Sequence, residues 1–371
     1  MSVGIGIIGS GTIFPAYART LANAPNARLV AVADLDLARA QERAEAFSVP
    51  HALTPDALLE RDDVELVIDL TVPGAHFDVN RSALAAGKHV YSEKPLSATA
   101  AEARSLVELA QGSGLALGGA PDTFLGVGYQ TARTALDDQI IGRPFAAVAH
   151  MLTSGPERWH HDPAFFYLPG AGPLLDMGPY YVTAMVSLFG PVASVSAEGG
   201  RTSPRRTIEK GPKTGQSFDV HVDTHVTLLL RFHSGVLATL LTTFDVGISD
   251  LPRFEVFGER GTLSLPDPNT FAGPVRVRTT TDEAWREVPN VPGFASNARG
   301  IGALDLLEAH RTGRAPRASG ALASHVLDVL EGGLTALEAG RRVAIESRPE
   351  RPTPLTQDDL EALGWTQEVA A

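Results

Sequence analysis

The sequence predicts an α/β domain built on a parallel sheet, followed by an α+β domain with a large, mainly antiparallel sheet. Three observations carry that expectation. Up to residue 121, short apolar runs alternate with helical stretches. After about residue 145 the texture turns β-rich, with turn signals between the runs. Two helical segments then close the chain. At roughly 100–200 residues per domain, a chain of 371 residues also points to two domains, here 1–121 and 122–371.

In order, "VGIGIIG" (3–9) is a continuous apolar run, as expected of a strand buried on both faces. A helical stretch, "PAYARTLANAP", follows. Then come "LVAVAD" (29–34), an Ala- and Arg-rich helix over 36–47, "VELVIDLT" (64–71) and a helix over 75–86. "HVYSEKPL" (89–96), a helix over 99–111 and "LALGGAP" (115–121) complete the series. Thr99 and Glu102 form a capping-box pattern at the start of that last helix. Strands alternating with helices of this length imply βαβ units. In the second part, "FAAVAHML", "VASVSAE", "HVDTHVTLLLRFHSG", "VLATLLTTF", "FEVFG", "GTLSLP" and "VRVRTTT" are separated by turn signals such as "HSG", "GERG" and "PDPN". Helices are expected near 300–312 and over 320–339, the second beginning after Ser319.

Composition narrows the classes. Hydrophobic residues make up 44% and charged residues 20%, as in soluble globular proteins. No run approaches the roughly 18 uncharged apolar residues that span a bilayer. "MSVGIGIIGSG" lacks a charged leader and does not read as a signal peptide, so the expected location is cytoplasmic. The absence of cysteine excludes disulfides, thiolate catalysis and Cys-ligated zinc. A net charge of −12 argues against a nucleic-acid partner.

Gly9-Ser10-Gly11 follows the first strand and opens the first helix, the context that gives a G-x-G meaning. Such glycines permit a tight turn and close approach to a pyrophosphate at a helix N-terminus. The third glycine of the usual fingerprint is replaced by Phe14. Asp34 ends the second strand about 20 residues on, the spacing of the acid that hydrogen-bonds the adenosine ribose. A carboxylate there repels a 2′-phosphate, which favours NAD over NADP. "SEKPLS" (92–97) sits at the C-terminal end of a strand, the edge where ligands bind in open α/β sheets. Pro95 keeps Lys94 extended. In "PGAGPLLDMGPYY" (169–181), Asp176 and Tyr180 are four residues apart, so a helix would place them on one face.

Taken in order, "GSG", "AVAD", "TVPGAH", "SEKPL" and "GAGPLLDMGPYY" resemble the Gfo/Idh/MocA oxidoreductase family across nearly the whole chain. The resemblance implies a Rossmann domain, an open-faced C-terminal sheet used to form homodimers or homotetramers, and NAD(P)-dependent oxidation or reduction of sugars and polyols. By position, Gly9 and Gly11, with Thr12 and Ile13 beside them, and Asp34 would bind the dinucleotide. Thr71, Pro73 and His76 would line the nicotinamide side. Glu93, Lys94 and Pro95 would lie at nicotinamide and substrate, with Lys94 catalytic and Asp176 orienting the substrate hydroxyl. Many members carry histidine four residues after the aspartate; Tyr180 stands there, as in the branch containing glucose-fructose oxidoreductase and dihydrodiol dehydrogenase. A free phenol, with a pKa near 10, is a poor base at neutral pH. A neighbouring ammonium lowers that pKa, and Lys94 is expected to do so.

Other residues are candidates on weaker patterns. In "PERWHHDPAFFYLPG" (156–170), Trp159 could stack on a pyranose, and His160 or His161 could bond its hydroxyls. Asp122, after the next strand, falls at the ligand edge. "HVDTHV" would place His221, Asp223 and His225 on one strand face, though no metal site is expected. The leading expectation is an NAD-dependent dehydrogenase of a sugar, glycoside, anhydrosugar or polyol. Alternatives are an NADPH-dependent sugar-ketone reductase, an NAD-dependent glycosidase with transient sugar oxidation, and a non-catalytic dinucleotide-binding regulator.

Overall fold

A computed structural model describes residues 2–366. The first sheet contains β1 (Val3–Ile8), β2 (Ala27–Ala33), β3 (His51–Leu53), β4 (Leu66–Asp69), β5 (His89–Ser92) and β6 (Leu117–Gly119). Between the strands run α1 (Phe14–Ala22), α2 (Leu37–Phe47), α3 (Pro55–Leu59), α4 (His76–Ala85) and α5 (Ala100–Gly112). The strand order is β3-β2-β1-β4-β5-β6, with every pairing parallel. Order reverses between β1 and β4, which opens a crevice at their C-terminal ends. The Thr99 capping box forms as expected.

Three local expectations change. β3 and α3 were not legible, because three half-buried edge residues and a five-residue helix carry no period. "VELVIDLT" pairs only over Leu66–Asp69, and "HVYSEKPL" only over His89–Ser92. Glu93, Lys94 and Pro95 therefore leave the sheet as a loop at the C-terminal end of β5.

The second part begins with α6 (Val127–Asp137), β7 (Pro144–Leu152) and α7 (Gly172–Phe189). β8 (Val192–Gly200), β9 (Arg205–Thr207), β10 (Ser217–Asp219), β11 (His225–Phe232) and β12 (Leu237–Thr243) follow. Then come β13 (Phe254–Gly258), β14 (Gly261–Leu265), β15 (Arg276–Thr279), β16 (Arg286–Glu287), α8 (Ile301–Thr312), α9 (Gly320–Ala339), β17 (Val343–Ala344) and α10 (Gln357–Ala362). Nine strands form one sheet in the order β16-β15-β14-β13-β7-β12-β11-β8-β17. All its pairings are antiparallel except β7 with β12. β9 and β10 make a separate hairpin.

Helices α7 and α9 cover one face of this sheet. On β11, Val226, Leu228, Leu230 and Phe232 are buried on that side, while Thr227, Leu229 and Arg231 lie on the other. "VTLLLRF" thus gives the open face alternate residues, not its whole apolar run. The expected row of His221, Asp223 and His225 does not form either. Only His225 belongs to the strand, and the other two precede it in a loop.

α9 packs on both sheets. Ala323 and Leu327 sit in the core beneath the first sheet, and the other side of the helix meets β8 and α7. A C-terminal segment then returns across the molecule. Arg317, 3% exposed, donates to Asp305 Oδ1 at 2.6 Å, to the Thr353 carbonyl at 3.0 Å and to the Pro354 carbonyl at 3.0 Å. Its guanidinium also pairs with Asp359. Trp365 donates to the Gly293 carbonyl at 2.7 Å.

Candidate active site

The turn after β1 is shaped by its two glycines in different ways. Gly9 has φ +103°, and a Cβ there would lie 2.6 Å from the Leu70 backbone. Only glycine fits, because the chain must take a left-handed conformation against β4. A Cβ on Gly11 would meet nothing within 4 Å. Helix α1 begins after Ile13 without a side-chain cap or an acidic first turn. Open space therefore faces an uncapped helix N-terminus, which fits a diphosphate. The residues here suit the dinucleotide that the sequence implied, with Thr12 and Ile13 at the helix entry.

Asp34 is 6% exposed and laces this turn to β2. It accepts from Ser10 N at 2.8 Å, Ser10 Oγ at 2.6 Å and Asp36 N at 3.0 Å. Arg39 donates to it at 2.6 Å. Burial opposes its charge, but these donors hold the carboxyl well below its ordinary range. Most of its acceptor capacity is filled from within, so Arg39 shares any edge that Asp34 presents to a ribose.

At the β4–β5 edge, Thr71 donates to Asp69 Oδ1 through N (2.9 Å) and Oγ1 (2.6 Å). His76 does not line the crevice as expected. It is fully buried, with Nδ1 at 2.6 Å from the Pro95 carbonyl and Nε2 at 3.1 Å from the Thr71 carbonyl. It ties together the two loops that do reach the edge. Pro73, beside them, is exposed.

Lys94, Asp176 and Tyr180 come together. Asp176 and Tyr180 lie one turn apart on α7, which contains Pro179. Pro179 has no N–H to give to the Leu175 carbonyl. Lys94 reaches this turn from the first domain: Nζ donates to the Asp176 carbonyl at 2.7 Å and to Asp176 Oδ1 at 2.9 Å. The same ammonium lies 5.5 Å from the centre of the Tyr180 ring. Burial weakens the ammonium, but Asp176, Tyr180 and Glu93 outweigh it and raise its pKa. The Tyr180 phenol is raised, not lowered. Burial is the largest cause; Lys94 opposes it without overcoming it.

Two side chains here were not foreseen. Tyr17, from α1, is fully buried and donates to Glu93 Oε1 at 2.8 Å. Glu93 Oε2 accepts from Lys94 N at 2.8 Å, so Glu93 is engaged in holding the lysine loop. Arg299 acts to pull the phenol's pKa down, against burial, while its hydrogen bonds go to Asn269 and Asn297. Tyr17 lies on the helix that Gly9-Ser10-Gly11 opens and Arg299 lies near no motif, but neither is marked out by a pattern of its own.

The remaining candidates take other positions. Asp122 is 1% exposed and accepts from Gly300 N at 2.8 Å and Gly302 N at 3.0 Å. It anchors the start of α8, and burial pushes its carboxyl up to about 6. Trp159, His160 and His161 pack on one another and on Phe166, with His160 and His161 stacked at 4.7 Å. Trp159 remains 57% exposed. This loop leads into the turn before α7, but it makes no hydrogen bond to Lys94, Asp176 or Tyr180 among the described residues.

Comparison with known proteins fits this geometry. The family described as "Oxidoreductase family, NAD-binding Rossmann fold" matches residues 3–118, and "GFO/IDH/MocA C-terminal domain" matches residues 129–264. Mouse trans-1,2-dihydrobenzene-1,2-diol dehydrogenase is 30% identical over 71% of this chain and 75% of its own. The dTDP-3,4-didehydro-2,6-dideoxy-alpha-D-glucose 3-reductase of Streptomyces antibioticus is 32% identical over 70% of this chain and 74% of its own. A levoglucosan dehydrogenase solved with NADH and L-sorbose shares the fold, with a TM-score of 0.79 at 20% identity, over 93% of this chain and 99% of that one. With an NAD-binding Rossmann domain followed by the matching C-terminal domain, the chain belongs to the Gfo/Idh/MocA family of oxidoreductases.

Proposed function

We propose that the protein moves a hydride between a hydroxyl-bearing carbon of a sugar, glycoside, anhydrosugar or polyol and the nicotinamide ring of NAD. The observation that carries this reading is the contact of Lys94 with Asp176, 2.9 Å apart, against the ring of Tyr180 at the ligand edge of the first sheet. Gly9, Gly11 and the start of α1 would hold the dinucleotide. When bound, its oxidised nicotinamide supplies a hydride acceptor and a positive charge. A substrate hydroxyl takes a hydrogen bond from Lys94 and gives one to Asp176 or Tyr180. As Asp176 turns to the substrate, the ammonium is freed to act on the phenol. Tyr180, first ionised by loss of its own proton to solvent, then takes the hydroxyl proton as the hydride leaves the carbon. Relatives named for a nucleotide sugar and for a cyclic diol support a sugar or sugar-like cyclic alcohol as substrate. A panel of pyranoses, anhydrosugars, glycosides and polyols, followed by NADH absorbance, tests the reading. Glycoside cleavage without net NADH would replace it by the hydrolase alternative.

NAD should be preferred to NADP, since Asp34 is ionised at the ribose edge. Asp34→Ser should narrow the gap by removing that charge and releasing Arg39 to meet a 2′-phosphate. Dissociation constants for both dinucleotides check this; a wild-type protein that binds NADP more tightly would refute it.

The open sheet face carries Leu229 and Leu237, 52% and 39% exposed, and needs cover. We assign that cover to a second copy, forming a dimer or tetramer. Light scattering at micromolar concentration should show at least twice the chain mass, and Leu229→Lys should lower it. A wild-type monomer would count against the assignment.

A further inference from the structure

Lys94 lies just beyond β5, and little holds its backbone. On one side, Glu93 N still bonds the Asp69 carbonyl at 2.8 Å. On the other, Pro95 has no N–H, and its carbonyl meets His76 Nδ1 at 2.6 Å. Between them, the Lys94 N–H has one acceptor among the described residues: Oε2 of its own neighbour Glu93, at 2.8 Å. The placement of the lysine therefore depends on where the Glu93 carboxylate is aimed.

Tyr17 aims it. The other Glu93 oxygen, Oε1, accepts from the Tyr17 hydroxyl at 2.8 Å. The Tyr17 ring is fixed independently of that bond. It is fully buried in the core, and a Cβ on Gly300 would lie 3.1 Å from it. Packing thus holds the ring and leaves the hydroxyl a single address. Burial, and then the charge of Glu93, push the phenol far above its ordinary range, so it stays a donor. A carboxylate with one oxygen engaged by a rigid donor and the other by the lysine N–H has little rotamer freedom left.

We propose that Tyr17 is a positioning residue: through Glu93 it sets the Lys94 backbone so that Nζ meets both the Asp176 carbonyl, at 2.7 Å, and Asp176 Oδ1, at 2.9 Å. The hydroxyl does this, not the ring. The proposal rests on Lys94 serving the hydride-transfer site. Tyr17 also belongs to α1, whose N-terminus faces the dinucleotide. A role confined to that helix is the competing explanation, and it predicts a loss of NAD affinity instead.

The chain has four lysines, Lys88, Lys94, Lys210 and Lys213. NMR of the full-length protein with lysine labelled at Cε and Nζ therefore gives four signals, and Lys94→Arg identifies that of Lys94 by its loss. Against burial, Asp176 holds the Lys94 pKa above its ordinary value, so in the wild type this signal should stay charged through the ordinary lysine range. Tyr17→Phe keeps the ring and removes the donor. Its Lys94 signal should shift and begin to titrate within that range, as the ammonium loses part of its carboxylate contact, while the other three stay in place. With a substrate from the panel, turnover should fall by a factor on the order of 10 to 10², the scale of a displaced catalytic group. KM and the NAD dissociation constant should be nearly unchanged. Glu93→Gln, whose amide nitrogen cannot accept, should shift the Lys94 signal likewise and serves if the Tyr17 variant does not fold. An unchanged Lys94 signal and titration in folded Tyr17→Phe overturns the proposal. So does a rise in the NAD dissociation constant that accounts for the lost turnover, or a movement of all four lysine signals, which marks a loosened fold. If no panel substrate is oxidised, the hydride-transfer reading fails by itself; the NMR needs no substrate and still decides whether Tyr17 places Lys94.

Discussion

Lys94→Ala should lower turnover by a factor on the order of 10² or more, the usual scale of a general acid–base contribution. Lys94 spans the two parts of the site, giving two hydrogen bonds to Asp176 while its charge lies over the Tyr180 ring. Its loss leaves Asp176 without its cation and the phenol with one positive neighbour fewer. The rising limb of the pH–rate profile should therefore move to higher pH, since burial already holds the phenol up and less now opposes it. Tyr180→Phe should cut turnover comparably while leaving NAD affinity nearly unchanged, because the dinucleotide turn lies on the other domain. The double variant decides whether the two act as one unit: its loss should be far smaller than the product of the single losses. If Tyr180→Phe turns over at near wild-type rate, the phenol is a packing group, and the base is Lys94 or a histidine of the 159–161 loop.

Arg317→Met should destabilise the fold by about 3–5 kcal/mol, the usual cost of removing one partner from a buried ion pair. Asp305 is fully buried, and Arg317 meets it through both the backbone N at 2.7 Å and Nη1 at 2.6 Å. Arg314 would remain with Asp305, but the carbonyls of Thr353 and Pro354 would lose their donor. Lysine should not rescue, because one ammonium cannot reproduce a fork that serves Asp305, Asp359 and two carbonyls. Calorimetry checks this directly; a wild-type melting temperature in Arg317→Met would show the network to be dispensable.

The first sheet, apart from its edge strand β3, was legible because its inner strands are buried and its longer helices keep a period. Lys94 and Asp176 were expected at one crevice from the family resemblance, carried by "SEKPL" and "GAGPLLDMGPYY"; their direct pairing came with the structure. What escaped was non-local. His76 was expected in the crevice, yet its ring bridges two carbonyls behind it, and nothing in "TVPGAH" distinguishes the two. Asp122 lies at the expected edge, but its partners are amides of Gly300 and Gly302, far along the chain. Neither Tyr17 nor Arg299 is marked out by a pattern of its own. The direction of the Tyr180 shift was misjudged because burial, unlike a neighbouring lysine, cannot be read from spacing.

The shared helix α9 changes what the boundary near residue 121 means. Ala323 and Leu327 are part of the core beneath the first sheet, a Cβ on Gly119 would lie 2.8 Å from that of Ala323, and Gly119 N bonds the Ala318 carbonyl at 3.0 Å. A division that is clean in the order of elements is therefore not a division of cooperative units. A fragment ending at residue 121 would expose the apolar surface that α9 covers, and it should aggregate or melt far below the whole chain. The intact protein should unfold in a single calorimetric transition. Recombining this dinucleotide half with a foreign partner would succeed only if the partner brought its own copy of α9.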